Sequence, residues 1–289
     1  MSARERLGVH GKVALVTGGA RGIGFGTAHA LARRGAALVI VDLDQSAAEQ
    51  AAAQLPGDAI GLSADVTDRG ALQRVVADVV ERRGGLDIVV ANAGIASRAA
   101  TVRAMNGEAF DRVLAVNLGG VYSTVITTLP QVAARRGHIV LISSIYAFWN
   151  GVGTAPYAMA KAGVEQLGRA LRVELVPHGA SAGVAYFGFI DTELVRRAID
   201  ADPLSDRMTA LWPKALHTRL TPSQAGEAVA RGVEKRAART VLPRRWAPLS
   251  ALRGIINPLI DEQMRRNEDT QGIVRELDAR GDQEQPLTA

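Results

Sequence analysis

Short apolar segments alternate with longer stretches of mixed polarity along most of the chain. The short segments are nearly continuous apolar runs, which are typical of strands buried on both faces. Between them, apolar residues recur at three- and four-residue spacing, which predicts helices. The predicted strands are KVALVT (12–17), AALVIVD (36–42), DAIGL (58–62), LDIVVA (86–91), GHIVLIS (137–143) and SAGVAY (181–186). The predicted helices lie near 22–34, 45–55, 68–82, 105–134 and 155–177.

This order of elements predicts an α/β, doubly wound, Rossmann-like fold with a parallel sheet and helices on both faces. Right-handed crossovers place the carboxyl ends of the strands at one edge, where ligands bind. Toward the C-terminus the alternation weakens, although a helix at 222–237 and a strand at 239–242 are still predicted. We therefore expect a main domain over 1–245, with a lid at 191–216, and a C-terminal helical extension over 246–289.

Composition and charge narrow the possible classes. The 289-residue chain has no cysteine, which excludes disulfides and thiolate metal sites, and its five histidines lack metal-ligand spacing, so no metal is expected. The net charge of +5 is local: segment 231–253 holds seven basic residues and one glutamate, which argues against a nucleic-acid partner. No apolar run has the length of a membrane span and no secretory signal is evident, so we expect a cytoplasmic location.

A glycine-rich turn follows the first predicted strand and opens the first predicted helix. Glycines let the backbone approach a pyrophosphate closely, and the helix start adds free N–H groups and a positive dipole end. Strand, turn and helix in this order predict a dinucleotide site. The residues assigned to it are Thr17, Gly18, Arg21, Gly22, Ile23 and Gly24.

Two nearby residues bear on the choice between NAD and NADP. Asp42 ends the second predicted strand, where a carboxylate accepts hydrogen bonds from the adenosine ribose and repels a 2′-phosphate. Arg21, inside the glycine turn, has the charge to hold that phosphate, or it is a solvated or Asp-paired arginine. Desolvating Asp42 against a phosphate is costly, so the pattern favours NAD over NADP.

Tyr157 and Lys161 have the spacing of an acid–base pair. A helix beginning near Pro156 places residues four apart on one face, and an ammonium beside a phenol lowers the pKa of the tyrosine. The chain has thirty arginines and four lysines, yet position 161 is lysine. Thirteen residues before Tyr157, Ser144 follows a predicted strand, where its hydroxyl would orient a substrate oxygen. Ser143 and Ser144 also fit simple turn chemistry, so both interpretations stay open.

The glycine turn, Asp65 in ADVTD, the stretch Ala91-Asn92-Ala93-Gly94, and Asn117, Ser144, Tyr157 and Lys161 together resemble the short-chain dehydrogenase/reductase family. The resemblance covers about residues 10–245. It implies that Tyr157 is the catalytic acid or base, that Lys161 holds the nicotinamide ribose and tunes Tyr157, and that Ser144 contacts the substrate oxygen. Asn117, inside a helix, would anchor a water that links Lys161 to solvent.

The same resemblance implies further cofactor contacts. Asp65 and the backbone of Val66 would contact adenine, and Asn92, Ala93 and Gly94 would lie beside the cofactor. Asp65 also fits a helix cap, and Asn92 fits a turn. The family usually has Pro-Gly after the sixth strand, whereas this chain has the segment 186–192, YFGFIDT. The positions that still match there are Gly188, Ile190 and Thr192.

Seven of the twelve aromatic residues fall in two segments expected beside the nicotinamide. Such clustering predicts an apolar pocket for a bulky alcohol or ketone, with a core wedge as the alternative. The expected substrate contacts are Phe148, Trp149 and Phe187. Met208, Leu211 and Trp212 occupy apolar positions of the predicted lid.

The C-terminal extension carries apolar residues at helical spacing from Leu249 to Ile260, interrupted by Pro258. It would pack on its own domain or on a second subunit, cover the pocket, or lie on a membrane surface with the adjacent arginines. The resemblance suggests a homodimer or homotetramer that uses the helices at 105–134 and 155–177.

These features predict an NAD(P)-dependent oxidoreductase that interconverts a hydrophobic secondary alcohol and a ketone. An NADP-dependent 3-oxoacyl thioester reductase is the alternative, for which Arg21 would matter and Asp42 would be an obstacle. A non-catalytic dinucleotide-sensing protein is a third possibility, against which the set of Asn117, Ser144, Tyr157 and Lys161 weighs.

Overall fold

A computed structural model describes residues 6–212 and 214–280 of the chain. Its centre is a sheet of seven parallel strands in the order β3-β2-β1-β4-β5-β6-β7. Each predicted apolar run forms one strand, so the predicted α/β fold is confirmed. The strands are β1 (Val13–Thr17), β2 (Ala37–Asp42), β3 (Ala59–Ser63), β4 (Ile88–Ala91), β5 (His138–Ser144), β6 (Ser181–Phe187) and β7 (Arg239–Leu242).

Helices cover both faces of the sheet, and each face has its own apolar core. Residues of α1, α2 and α9 bury one face, and residues of α3, α5 and α6 bury the other. The helices are α1 (Gly22–Ala32), α2 (Gln45–Ala53), α3 (Arg69–Arg83), α4 (Gly107–Leu114), α5 (Val121–Ala134), α6 (Ala155–Glu174), α7 (Glu193–Val195), α8 (Ser205–Ala210), α9 (Pro222–Glu234), α10 (Ala247–Arg266) and α11 (Glu268–Asp278).

The strand order reverses between β1 and β4, which are neighbours at the centre of the sheet. Chain crossovers leave in opposite directions from such a pair, and a crevice opens beyond the carboxyl ends of the strands. Thr17, Ala91, Ser144 and Phe187 end β1, β4, β5 and β6 at this edge. The fold therefore brings the predicted site segments together.

The predicted helix at 105–134 is divided into three parts. A π-helical turn, Ala115–Gly120, lies between α4 and α5 and contains Asn117. The wider π turn is an irregularity that often marks functional positions, and periodicity of the sequence did not reveal it. The combined segment Gly107–Ala134 is long and apolar enough to cross a membrane, but half of its apolar window is buried, as in a core helix.

The two C-terminal segments are helical. The predicted lid contains α7, a π turn at Arg196–Asp200 and α8, while Pro213 lies outside the described residues. In the predicted extension, α10 continues through Pro258 and α11 follows it, so the expected interruption is wrong. Residues 281–289 of the extension lie outside the described residues.

Candidate active site

The glycine turn is built for close backbone approach. Gly18 has a φ of +60°, and a Cβ at that position would lie 2.8 Å from Cα of Ala93. The Asn92 side-chain amide donates to the backbone oxygens of Thr17 and Gly18, at 3.0 and 2.9 Å. These hydrogen bonds hold the glycine turn, which directly precedes α1, against the end of β4. The turn therefore fits the pyrophosphate of a dinucleotide.

Asp42 and Arg21 point to different partners. The Asp42 carboxylate accepts hydrogen bonds from the backbone N–H groups of Ala20, at 3.0 Å, and Leu43, at 2.9 Å. The Arg21 guanidinium is paired with Glu193 of α7, at 3.0 Å. Asp42 therefore braces the glycine turn, and Arg21 links that turn to the predicted lid.

Asp65 does not cap the helix that follows it. The cap of α3 is Asp68, whose side chain accepts from Ala71 N. The Asp65 carboxylate instead accepts from the backbone and hydroxyl of Thr67, at 2.8 and 2.7 Å. Burial raises the pKa of Asp65, but these bonds and Arg112 outweigh that effect, and the pKa lies below its usual range. Asp65 therefore remains available to a ligand as a carboxylate.

One continuous cleft connects these elements. All the predicted dinucleotide-binding residues line this cleft except Thr17 and Gly24. These two instead contact Asn92 and the backbone of the glycine turn. The Thr17 hydroxyl accepts from Asn92 N at 3.1 Å. Sequence reasoning missed Leu43, Ile95 and Arg112, which also line the cleft because of tertiary placement alone. The cleft is thus a complete candidate site for a nicotinamide dinucleotide.

Tyr157 and Lys161 both line this cleft and lie on the first two turns of α6. The Lys161 ammonium donates to the Ile142 carbonyl at 3.1 Å and lies 5.4 Å from the centre of the Tyr157 ring. The Ser143 hydroxyl donates to Lys161 O at 2.9 Å, so Ser143 fixes α6 against β5. The Ser144 hydroxyl is 3.3 Å from Phe187 O, to which it donates, and also hydrogen-bonds Tyr157.

The pKa of Tyr157 shifts in the opposite direction to the one expected from the sequence. Burial raises it, and the hydrogen bond with Ser144 offsets only part of that rise. Burial also lowers the pKa of Lys161 to about 8. Desolvation penalises the charged form of each group, the phenolate of Tyr157 and the ammonium of Lys161. Tyr157 is therefore protonated at neutral pH, which suits a proton donor.

The Asn117 side chain forms two hydrogen bonds with the backbone of one residue, Ile95. Its amide oxygen accepts from Ile95 N and its amide nitrogen donates to Ile95 O, both at 2.8 Å. A Cβ at Gly94 would lie 2.8 Å from Asn117 Oδ1 and 3.7 Å from Lys161 Nζ. Asn117 therefore positions the loop after β4 beside Lys161.

A second, largely apolar chamber adjoins this cleft. Ser144, Tyr157 and Gly188 line both the cleft and the chamber. The three apolar residues of the predicted lid, Met208, Leu211 and Trp212, line the chamber too. Its other walls include aromatic residues, Tyr146, Trp149 and Phe189, and residues of the C-terminal helices, Met264, Thr270 and Ile273.

Of the three predicted substrate contacts, Trp149 alone faces this chamber. Phe148 is buried and packs on Tyr186 and Trp246, with ring centres 5.9 and 6.4 Å apart, so the core-wedge alternative describes it correctly. Phe187 lines the cofactor cleft instead. Aromatic residues two positions apart have different surroundings here, and the sequence pattern did not distinguish Phe148 from Tyr146 or Phe187 from Phe189.

Comparisons with known proteins agree with this architecture. A family profile described as short chain dehydrogenase matches residues 12–202. The 3-oxoacyl-[acyl-carrier-protein] reductase FabG of Thermotoga maritima is 34% identical over 207 residues, which are 70% of this chain and 82% of the relative. Cis-4-hydroxycyclohexanecarboxylate dehydrogenase of Sinomonas cyclohexanicum is 34% identical over 222 residues, 76% of this chain and 88% of the relative.

Two solved structures have the same fold. The structure of gox2181 has a TM-score of 0.75 at 30% identity and covers 83% of this chain and 95% of its own. A short-chain type dehydrogenase/reductase from Mycobacterium marinum has a TM-score of 0.72 at 28% identity with the same coverage. The chain, with its glycine turn, its Tyr157–Lys161 pair and a matching profile, belongs to the short-chain dehydrogenase/reductase family of oxidoreductases.

Proposed function

We propose that the chain interconverts a ketone and a secondary alcohol with a nicotinamide dinucleotide. The observation that carries this proposal is the position of Ser144 and Tyr157 on the wall shared by the dinucleotide cleft and the apolar chamber. A bound nicotinamide would supply or accept the hydride. A non-catalytic sensor would not need an acid, a base and an apolar chamber at one junction.

Each polar residue at the junction then has one task. The Ser144 hydroxyl orients the substrate oxygen, and the Tyr157 hydroxyl donates its proton to that oxygen in reduction or removes it in oxidation. Lys161 borders the cleft, where its ammonium would hold the ribose and favour the phenolate after proton transfer. Because burial raises the pKa of Tyr157, the proton donor for reduction is in place at neutral pH.

Two substrate classes are candidates. The names of several relatives, 3-oxoacyl-[acyl-carrier-protein] reductases from different bacteria, favour a 3-oxoacyl thioester over the free alcohol or ketone expected first from the sequence. A free ring ketone is the second candidate. It is supported by the aromatic walls of the chamber and by the name of the cyclohexanecarboxylate dehydrogenase relative.

A substrate panel tests the proposal. Acetoacetyl thioesters and cyclohexanones would be offered with both reduced dinucleotides, and turnover followed by nicotinamide absorbance. Ser144→Ala, which keeps the dinucleotide cleft but removes the orienting hydroxyl, serves as the control. Turnover of either class that falls in the Ser144 variant supports the proposal, and dinucleotide binding without any ketone turnover contradicts it.

The choice of dinucleotide is also a proposal, in which Asp42 selects NAD. Its carboxylate lines the cleft, and Arg21 is turned toward Glu193. We expect Asp42→Asn to increase NADP affinity by about tenfold, because a charge near the 2′-phosphate is removed while an acceptor for the glycine turn is kept. Fluorescence titration with both dinucleotides measures this change. If Arg21→Ala instead weakens NADP binding to a protein that already prefers NADP, the assignment of Asp42 is wrong.

We also propose a homodimer or homotetramer formed through α5 and α6. Tyr122 and Ile126 of α5 and Met159 of α6 are exposed large apolar residues. Sedimentation velocity should show an assembly that Tyr122→Glu combined with Ile126→Glu dissociates. A monomeric wild-type protein at micromolar concentration would contradict this expectation.

A further inference from the structure

One wall of the apolar chamber comes from the C-terminal helices. Met264 of α10 and Thr270 and Ile273 of α11 line the chamber together with Tyr157. These helices lie beyond residue 202, where the match to the family profile ends. This part of the chamber is therefore built by a segment outside the family match.

The helix α11 is fixed to two other segments of the chain, the loop after β4 and the predicted lid. Leu277 is fully buried in an apolar cluster with Ala99, Leu204 and Ile273, and Met208 of the predicted lid packs against this cluster. Contacts of this kind, from several directions, set the position of the helix. The side chain of Ile273, which is 2% exposed, therefore has a defined place between the cluster and the chamber.

Polar contacts strengthen this attachment. The Arg280 guanidinium, just after α11, donates to both carboxylate oxygens of Asp202, at 2.7 and 2.5 Å, and to Ala99 O at 2.7 Å. The Asp278 carboxylate accepts from the Thr101 hydroxyl, and Arg207 of α8 pairs with Glu276 at 2.5 Å. A bidentate pair with 4% and 13% exposed side chains is geometrically specific. The wall is thus fixed to the lid and to the loop after β4.

The chamber has little charge to offer a substrate. Among its described lining residues, Asp202 is the single charged one, and its carboxylate is already bonded to Arg280 and to Leu204 N. Aromatic rings and aliphatic chains make up most of the remaining surface. The group that enters this chamber must therefore be uncharged, since a buried carboxylate or phosphate would lack a free cation.

We propose that Ile273, with Thr270 and Met264 beside it, determines substrate specificity by limiting the size of the uncharged apolar group attached to the reacting ketone. This proposal rests on the proposed function. The substrate class is a ketone whose ring or branched chain fills the space between the aromatic walls and α11. A smaller side chain at position 273 enlarges that space, and a larger side chain reduces it.

Three variants test the inference. Ile273→Ala should raise kcat/KM for the bulkiest ketones about tenfold or more relative to the smallest, and Ile273→Phe should lower this ratio. The reason is that one methylene more or less in an apolar pocket changes kcat/KM by about tenfold or more. Val274→Ala is the matched control, since it removes an aliphatic side chain from the same helix at a position that does not line the chamber. The series would be cyclohexanone with its methyl, tert-butyl and phenyl derivatives, together with 3-oxoacyl thioesters of increasing chain length.

A binding measurement separates this inference from the proposed function. Trp149 and Trp212 line the chamber, so quenching of tryptophan fluorescence reports ketone binding without turnover. A size limit that moves with Ile273 but not with Val274 supports the inference, even if no ketone is turned over and the proposed function fails. Identical size profiles for the Ile273 and Val274 variants, in turnover and in binding, would overturn it. Nicotinamide dinucleotide affinity, which should be unchanged in all three, shows that each variant is folded.

Discussion

Replacing Tyr157 with phenylalanine should lower kcat by about 10³-fold, within the usual range for loss of a general acid. The substitution removes one hydroxyl and keeps the ring, so the packing of α6 at the junction is retained. Tyr157 lines both the dinucleotide cleft and the apolar chamber, and its phenol hydrogen-bonds Ser144. The other two described groups with an exchangeable proton at this junction are directed elsewhere, because the Ser144 hydroxyl donates to Phe187 O and the Lys161 ammonium donates to Ile142 O.

The neighbouring Tyr146 is the matched control. Its ring meets that of Tyr157 edge to face, 6.0 Å away, and it also lines the chamber. Burial raises its pKa too, so it stays protonated. Tyr146→Phe should keep most of the turnover, and both variants should bind the dinucleotide as the wild type does. If the two tyrosine variants lose activity equally, or if Tyr157→Phe stays active, Tyr157 is not the acid.

The elements of this fold were predictable because each is encoded locally. A parallel strand such as β5 is buried on both faces and so appears as an unbroken apolar run, and the glycine turn lies directly between β1 and α1. Tyr157 and Lys161 needed only helical spacing to be placed together. The sheet edge was predictable as well, because the carboxyl ends of parallel strands meet there.

The parts that were not predicted depend on tertiary placement. Phe148 and Trp149 are adjacent in sequence and both pack on Trp246, and only tertiary packing decides that Phe148 also meets Tyr186 in the core while Trp149 lines the chamber. The pKa of Tyr157 depends on burial by distant segments. The chamber wall formed by Ile273 required α11 to reach the loop that contains Ala99, a contact between positions far apart in the chain. The local spacing of apolar and polar residues does not predict such long-range contacts.

A second large effect is expected at Gly24, where alanine should weaken dinucleotide binding by about 100-fold, or about 2.7 kcal/mol. A Cβ there would overlap Gly18 O and lie 2.7 Å from Asn92 Nδ2 and 2.9 Å from Gly18 C. These are backbone atoms and an amide that already holds the turn by two hydrogen bonds. The glycine turn must move to make room, and its N–H groups then lose their common direction.

Gly254→Ala is the control for this prediction, because a Cβ at that position of α10 would have no described atom within 4 Å beyond its chain neighbours and the nearby backbone of its own helix. Alanine in a helix interior should raise the free energy of unfolding there by about 0.5–1 kcal/mol and leave dinucleotide affinity unchanged. Fluorescence titration measures affinity, and urea denaturation measures stability. A Gly24 variant that is folded but binds NAD and NADP with wild-type affinity would show that the turn does not hold the pyrophosphate. A weakened Gly24 variant beside an unaffected Gly254 variant would locate the dinucleotide at the start of α1, next to Asn92 and on the same edge as Tyr157.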